Sequence, residues 1–164
     1  MKMRALAAVA AGALAAGPAV ADVFNLGLLD MSKPLYHSFS NYVGNFADVY
    51  TFTIPGSSTT VNGDTTTVNF GTMWNVSLSS ATLTGTGLGA SQMDSNPNDG
   101  FSFYGLTGGG SYALTLTGTV DGTGLAGVTG IYAGYVTAVP EPQTVAMVAM
   151  GLLLTGVALR RRRS

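Results

Sequence analysis

His37 is the only histidine in the chain and sits in Leu35-Tyr36-His37-Ser38-Phe39. Any Ser-His-Asp hydrolase built from this sequence would need it as the base. No Gly-x-Ser-x-Gly elbow accompanies it. Between Asp22 and Val139 there is no glutamate, so paired-Glu acid–base chemistry is absent. Aspartate pairs would serve a glycosidase, but no spacing singles one out. His37 is therefore read as non-catalytic and the protein as a non-enzyme. With one histidine and no cysteine, multi-histidine and thiolate metal centres are excluded, as is a disulfide framework. Asp94-Ser95-Asn96-Pro97-Asn98-Asp99-Gly100 places oxygen side chains at alternate positions, as Ca²⁺ prefers. Gly100 comes one residue late for an EF-hand, and Gly105 stands where its bidentate Glu belongs. The loop reads as an Asx-rich connector, with Ca²⁺ the one cofactor left open. Gly122-Thr123-Gly124-Leu125-Ala126-Gly127 spells GxGxxG. Turn and strand residues follow it where a dinucleotide site needs a helix, so it reads as a hairpin loop.

Asp48 is the residue whose placement asks most of its surroundings. In Phe46-Ala47-Asp48-Val49-Tyr50-Thr51-Phe52-Thr53-Ile54, strand alternation puts Asp48 on the face of Phe46, Tyr50, Phe52 and Ile54. A carboxylate on an apolar face needs partners. Three solutions are open: backbone N–H groups of a neighbouring loop, a bound ion, or a place at the sheet edge. The first, a structural clamp, is the expected one.

The elements that must position these residues are strands. Trp74, Val76 and Leu78 alternate with Asn75 and Ser77, and the phase slips at Ser79-Ser80, which predicts a bulge. Tyr112, Leu114 and Leu116 alternate with Thr115, Thr117 and Thr119, and residues 131–139 are β-branched and aromatic. Weaker strands are expected over 23–29, 65–70 and 101–106. Thr82-Leu83-Thr84-Gly85-Thr86 recurs as Thr115-Leu116-Thr117-Gly118-Thr119. Two such copies read as solvated strand faces; ice-binding surfaces need several stacked rows. Asn75-Val76-Ser77 is a glycosylation-type sequon. Strands joined by Gly, Asn and Asp turns, with no helical stripe, predict an all-β fold. The expected form is a small antiparallel β-sandwich or jelly roll.

Both ends carry addresses. Lys2 and Arg4 precede an uncharged Ala, Val and Leu run that ends at Pro18, and Ala19-Val20-Ala21 supplies small-x-small residues. Residues 1–21 thus read as a signal peptide, cut by signal peptidase to leave Asp22 first. At the other end, Pro140-Glu141-Pro142 precedes an uncharged run to Leu159 and the cluster Arg160, Arg161, Arg162 and Arg163. A helix from Pro142 to Leu159 would measure roughly 27 Å, just enough to span a bilayer. The arginines hold its C-terminus in the cytoplasm, and residues 22–139 are then outside.

This tail resembles the PEP-CTERM sorting signal of Gram-negative bacteria, with Pro140-Glu141-Pro142 as the tripeptide and Arg160 to Arg163 as the basic end. The resemblance implies recognition and removal of the tail by an exosortase, a membrane transpeptidase-like enzyme, after transient inner-membrane anchoring. It also implies delivery to the cell surface or extracellular matrix in exopolysaccharide-making bacteria. Phe46-Ala47-Asp48-Val49-Tyr50 is similar to the signature of FxDxF-type PEP-CTERM proteins, with Tyr50 in place of the last Phe. That group implies a β-rich exported middle and no established activity.

Three segments result: a signal peptide over 1–21, an exported β-rich domain over 22–139, and a sorting signal over 140–164. The middle segment carries seven Asp against one Lys, a net charge of −6. So acidic a surface excludes nucleic acid as a partner. The expected role is that of an exported surface or matrix protein associated with exopolysaccharide. A strict carbohydrate-binding module is the alternative, to be distinguished by aromatic side chains on a solvent face. A secreted hydrolase and an ice binder rank lower.

Overall fold

A computed structural model describes residues 20–40, 42–69, 74–122 and 129–140, together with Met147 and Met150. Nine strands occur among the described residues: β1 (Val23–Leu28), β2 (Lys33–Ser40), β3 (Gly44–Thr53), β4 (Ser58–Val68), β5 (Asn75–Gly85), β6 (Gln92–Asp94), β7 (Phe101–Phe103), β8 (Ser111–Asp121) and β9 (Thr129–Pro140). One 3₁₀ turn, Pro97–Asp99, separates β6 from β7. The all-β expectation is met, and the strands form two sheets. The five-stranded sheet runs β1-β3-β8-β5-β6, and the four-stranded sheet runs β2-β9-β4-β7.

The period-2 patterns explain the burial. Phe46, Tyr50 and Phe52 of β3 and Tyr112, Leu114, Leu116 and Val120 of β8 point into a common core. Leu35 and Phe39 of β2, Val61 of β4 and Tyr132 and Val136 of β9 join the same cluster from the other sheet. Each fully buried aliphatic or aromatic side chain contributes about 1.5–3 kcal/mol. The expected phase slip is present in β5, whose pairing with β8 shifts between Leu78 and Ser80. Val76 and Leu78 face inward before that bulge, and Ala81 and Leu83 after it.

One expectation is corrected. The strands were expected to be antiparallel, but β1 lies parallel to β3, with Val23 opposite Val49 and Phe24 opposite Tyr50. The cause is β2, which crosses to the other sheet before the chain returns as β3. Two neighbours in one sheet then run the same way. The parallel edge extends upstream through a bridge between Val20 and Phe46.

The signal-peptide residues up to Ala19, the tail residues Glu141, Pro142 and Arg160 to Arg163, and most of the GxGxxG loop lie outside the described residues. Among the described residues no helix is long and apolar enough to cross a membrane.

Candidate functional site

Strand β3 brings Phe46, Asp48 and Tyr50 to its inward face, and Asp48 is fully buried, with 0% exposure. Its carboxylate is held by donors from three other segments. The His37 Nδ1–H of β2 donates to Oδ2 at 2.5 Å. The Tyr132 hydroxyl of β9 donates a short hydrogen bond to the same oxygen. The backbone N–H of Asp22, just before β1, reaches Oδ1 at 3.3 Å. Tyr132 spends its proton on Asp48, so Tyr50 is the donor in the 2.7 Å contact between the two tyrosine hydroxyls. The Tyr50 hydroxyl also lies 3.2 Å from the Tyr36 carbonyl.

The aromatic rings enclose this chain. Phe46 stacks on Tyr132, with centroids 5.6 Å apart, and Tyr50 stacks on Phe24 at 4.9 Å. Burial, the dominant cause, pushes the Tyr50 hydroxyl pKa up to about 12, and the Asp48 charge adds to the rise. Tyr132 is raised further for the same first reason, with Tyr50 and Asp48 adding. Both tyrosines thus stay protonated and remain donors.

On the outer side of His37, Nε2 faces the Asp22 carboxylate at 3.3 Å. Donor atoms of Asp22, His37 and Asp48 all lie within 4.8 Å of one another, so a metal ion must be considered. The geometry is that of a hydrogen-bonded relay. The two ring nitrogens point to different carboxylates, and Nδ1 lies 2.5 Å from Asp48 Oδ2. Two tetrahedral ligands of one metal at about 2.0 Å stand roughly 3.3 Å apart; the His37 Nε2–Asp22 pair has that spacing, whereas Asp48 sits closer, against the other ring nitrogen. The second nitrogen faces the Asp22 carboxylate and, among the described residues, no hydroxyl is bonded to it.

Sequence reasoning placed Asp48 on the aromatic face and anticipated backbone N–H partners, one of which Asp22 supplies. It set His37 apart from Asp48, and it did not find Tyr132. The alternation that aligns Tyr132 with Val136 was the available signal. The Asp94–Gly100 loop bonds internally: Asp94 Oδ1 accepts from Asn96 N at 2.8 Å, and Asn96 Nδ2 donates to Asp99 at 2.7 Å. The two Thr-Leu-Thr-Gly-Thr copies become neighbours in β5 and β8, with Thr82 opposite Thr115. Their hydroxyls lie on the outer face of the five-stranded sheet. An open groove of about 750 Å³ at one end of that sheet is lined by polar Asn25, Thr51, Thr84 and Ser111 and by apolar Leu28 and Ala113.

On the outer face of the four-stranded sheet, Tyr36 and Tyr135 are 53% and 47% exposed. Tyr36 pairs with Ala133, and Tyr135 pairs with Pro34 and Asp64. The two tyrosines are thus diagonal neighbours across β2 and β9. Trp74, by contrast, is buried.

An all-β domain whose final strand leads into a proline-framed motif, an apolar run and terminal arginines defines a class: an exported domain carrying a C-terminal sorting tail. Residues 138–163 match the family model of the PEP-CTERM protein-sorting motif, so the chain carries a PEP-CTERM sorting tail. The motif marks it for export and for exosortase-dependent sorting to the cell surface. No curated protein and no solved structure matches the chain.

Proposed function

We propose that this protein is a non-enzymatic matrix component. Its signal peptide directs export, its tail anchors it briefly in the inner membrane, and an exosortase then releases it to the surface. The exported domain, with its two sheets packed as a sandwich, contacts exopolysaccharide. The observation that carries the reading is the start of the sorting motif at residue 138, inside β9, which ends at Pro140. Domain and sorting tail are continuous, so the tail's destination is the domain's place of work. The groove on the five-stranded sheet supports the polysaccharide contact, because its Thr, Ser and Asn side chains match sugar hydroxyls while Leu28 and Ala113 offer apolar surface to the ring. The test is fractionation of cells with and without their exosortase. Protein in the matrix fraction of the first and in the inner membrane of the second is expected. Equal matrix protein in both would overturn the reading.

The strict carbohydrate-binding module remains as a second reading because of Tyr36 and Tyr135. Two tyrosine faces at diagonal spacing, beside Asp64, form a small platform on which a sugar ring's C–H face stacks. Replacing both tyrosines by Ala should lower co-sedimentation with the cell's own exopolysaccharide about tenfold, the equivalent of about 1.4 kcal/mol. The melting temperature should hold, since both rings are half exposed. Unchanged co-sedimentation would remove this reading and leave the groove.

A further inference from the structure

We propose that removal of the leader completes the Asp48 cluster: cleavage after Ala21 frees the α-ammonium of Asp22, which forms an ion pair with the buried Asp48 carboxylate. The inference rests on the signal-peptide processing proposed above.

The position of Asp22 N argues for it. In the uncut chain this nitrogen is a neutral amide, and it already lies 3.3 Å from Asp48 Oδ1. Residue 22 is held on both sides of that contact. Its carbonyl accepts from Val49 N at 2.8 Å, and its carboxylate faces His37 Nε2 at 3.3 Å. An ammonium formed at this nitrogen therefore meets Oδ1 without movement of the strand, and it brings three donors in place of one.

The charges argue for it as well. The uncut cluster sets the Asp22 and Asp48 carboxylates against one imidazole, so even protonated His37 leaves a net −1. The ammonium brings the sum to zero. Asp48 is the member with no exposure, and an unbalanced charge is most costly there. Cleavage also removes two backbone bonds, Val20 N to Asn45 O and Ala47 N to Val20 O. Both lie at the outer edge of β3, where water can replace them.

The pairing has a defined pH dependence. An α-amino group titrates at about 7.7–8.0 in an unfolded chain. Pairing with Asp48 raises that value in the fold. The stabilisation is full below the unfolded value and is lost as pH rises through the raised one. The groups facing the ammonium are Asp22's own carboxylate, His37 from β2, Asp48 and Tyr50 from β3, and Tyr132 from β9. Tyr50, raised to about 12, remains neutral through this window.

The test uses the full chain, exported and processed in cells without exosortase. It is compared with a variant carrying Gly-Ser between Ala21 and Asp22. The insertion keeps the cleavage site but moves the ammonium two residues upstream and restores an amide at Asp22. N-terminal sequencing should read Asp-Val-Phe-Asn for the parent and Gly-Ser-Asp for the variant. At about pH 7 the parent should melt about 3–6 °C higher. The gap should close by about pH 10 and be absent on an Asp48→Asn background. If Asp48→Asn fails to fold, NMR titration of the ¹³C-dimethylated α-amine decides: its midpoint should be raised in the parent and ordinary in the insertion variant. A parent N-terminus other than Asp22 would overturn both the processing and the ion pair. An Asp22 terminus with no melting gap, a gap that persists at about pH 10, or an unraised amine midpoint would overturn the ion pair alone.

Discussion

Asp48 occupies an apolar phase of β3 and is kept there by donors from three other segments. Its carboxylate takes the His37 Nδ1–H, the Tyr132 hydroxyl and the Asp22 N–H. Substituting Asp48 tests what those donors are worth. Asp48→Asn keeps one acceptor oxygen and should cost about 1–2 kcal/mol. Asp48→Leu leaves the His37 and Tyr132 donors buried without an acceptor and should cost about 3–5 kcal/mol. Urea or thermal melts of the two variants give the order; a leucine variant more stable than the parent would sink the clamp. The Tyr50 hydroxyl has work here: it donates to the Tyr132 hydroxyl oxygen and lies 3.2 Å from the Tyr36 carbonyl. The need for such partners was legible from the alternation around Asp48. Their identities were not, because His37 and Tyr132 reach Asp48 from the other sheet, a placement that spacing along the chain does not encode.

Strands with one polar and one apolar face announce themselves, and β3, β8, β9 and the first part of β5 did so. The bulge between Leu78 and Ser80 was readable for the same reason: a phase slip in period 2 has few other remedies. β2 was missed because its inward positions are Leu35, His37 and Phe39, while Tyr36 faces outward. A histidine in the apolar phase and an aromatic in the polar one erase the alternation. β6 has only three residues, too few to carry a pattern. The parallel pairing of β1 depends on which sheet β2 joins, which is a long-range decision. The β3–β8 pairing, however, rests on a local device. Phe46 lies opposite Gly118 in register. A Cβ at Gly118 would stand 2.3 Å from the Ser77 carbonyl oxygen and 2.6 Å from Phe46 Cζ. Gly118→Ala should therefore destabilise the protein by about 1–3 kcal/mol through overpacking. Phe46→Leu relieves only the ring side of that crowding, so a Gly118→Ala, Phe46→Leu double variant should lose less than the sum of the two single variants in a melting experiment. Strictly additive losses would place the strain elsewhere, at the Ser77 carbonyl.

At the scale of the whole molecule, the boundary between domain and tail decides how the protein is handled. β9 is an interior strand of its sheet, between β2 and β4, and it pairs as far as Pro140 with Ser58. The sorting motif starts within that strand at residue 138. No spacer separates the last paired residue from Glu141 and Pro142, so a folded sheet edge stands directly beside the expected cleavage region. Replacing Pro140-Glu141-Pro142 by Ala-Ala-Ala should leave the apolar run and Arg160 to Arg163 able to hold the chain in the membrane while abolishing release. In cells with an exosortase, the variant should accumulate at full size in the inner membrane, while the parent reaches the matrix without the residues after its motif. Mass spectrometry of both fractions reads the result. Because Pro140 closes β9, the substitution could also act by loosening the sheet, so a second variant changes only Glu141 and Pro142 to Ala. That variant should keep the parent's melting temperature and still fail to be released. An intact tail on parent protein in the matrix would make the segment a plain anchor and end the sorting interpretation.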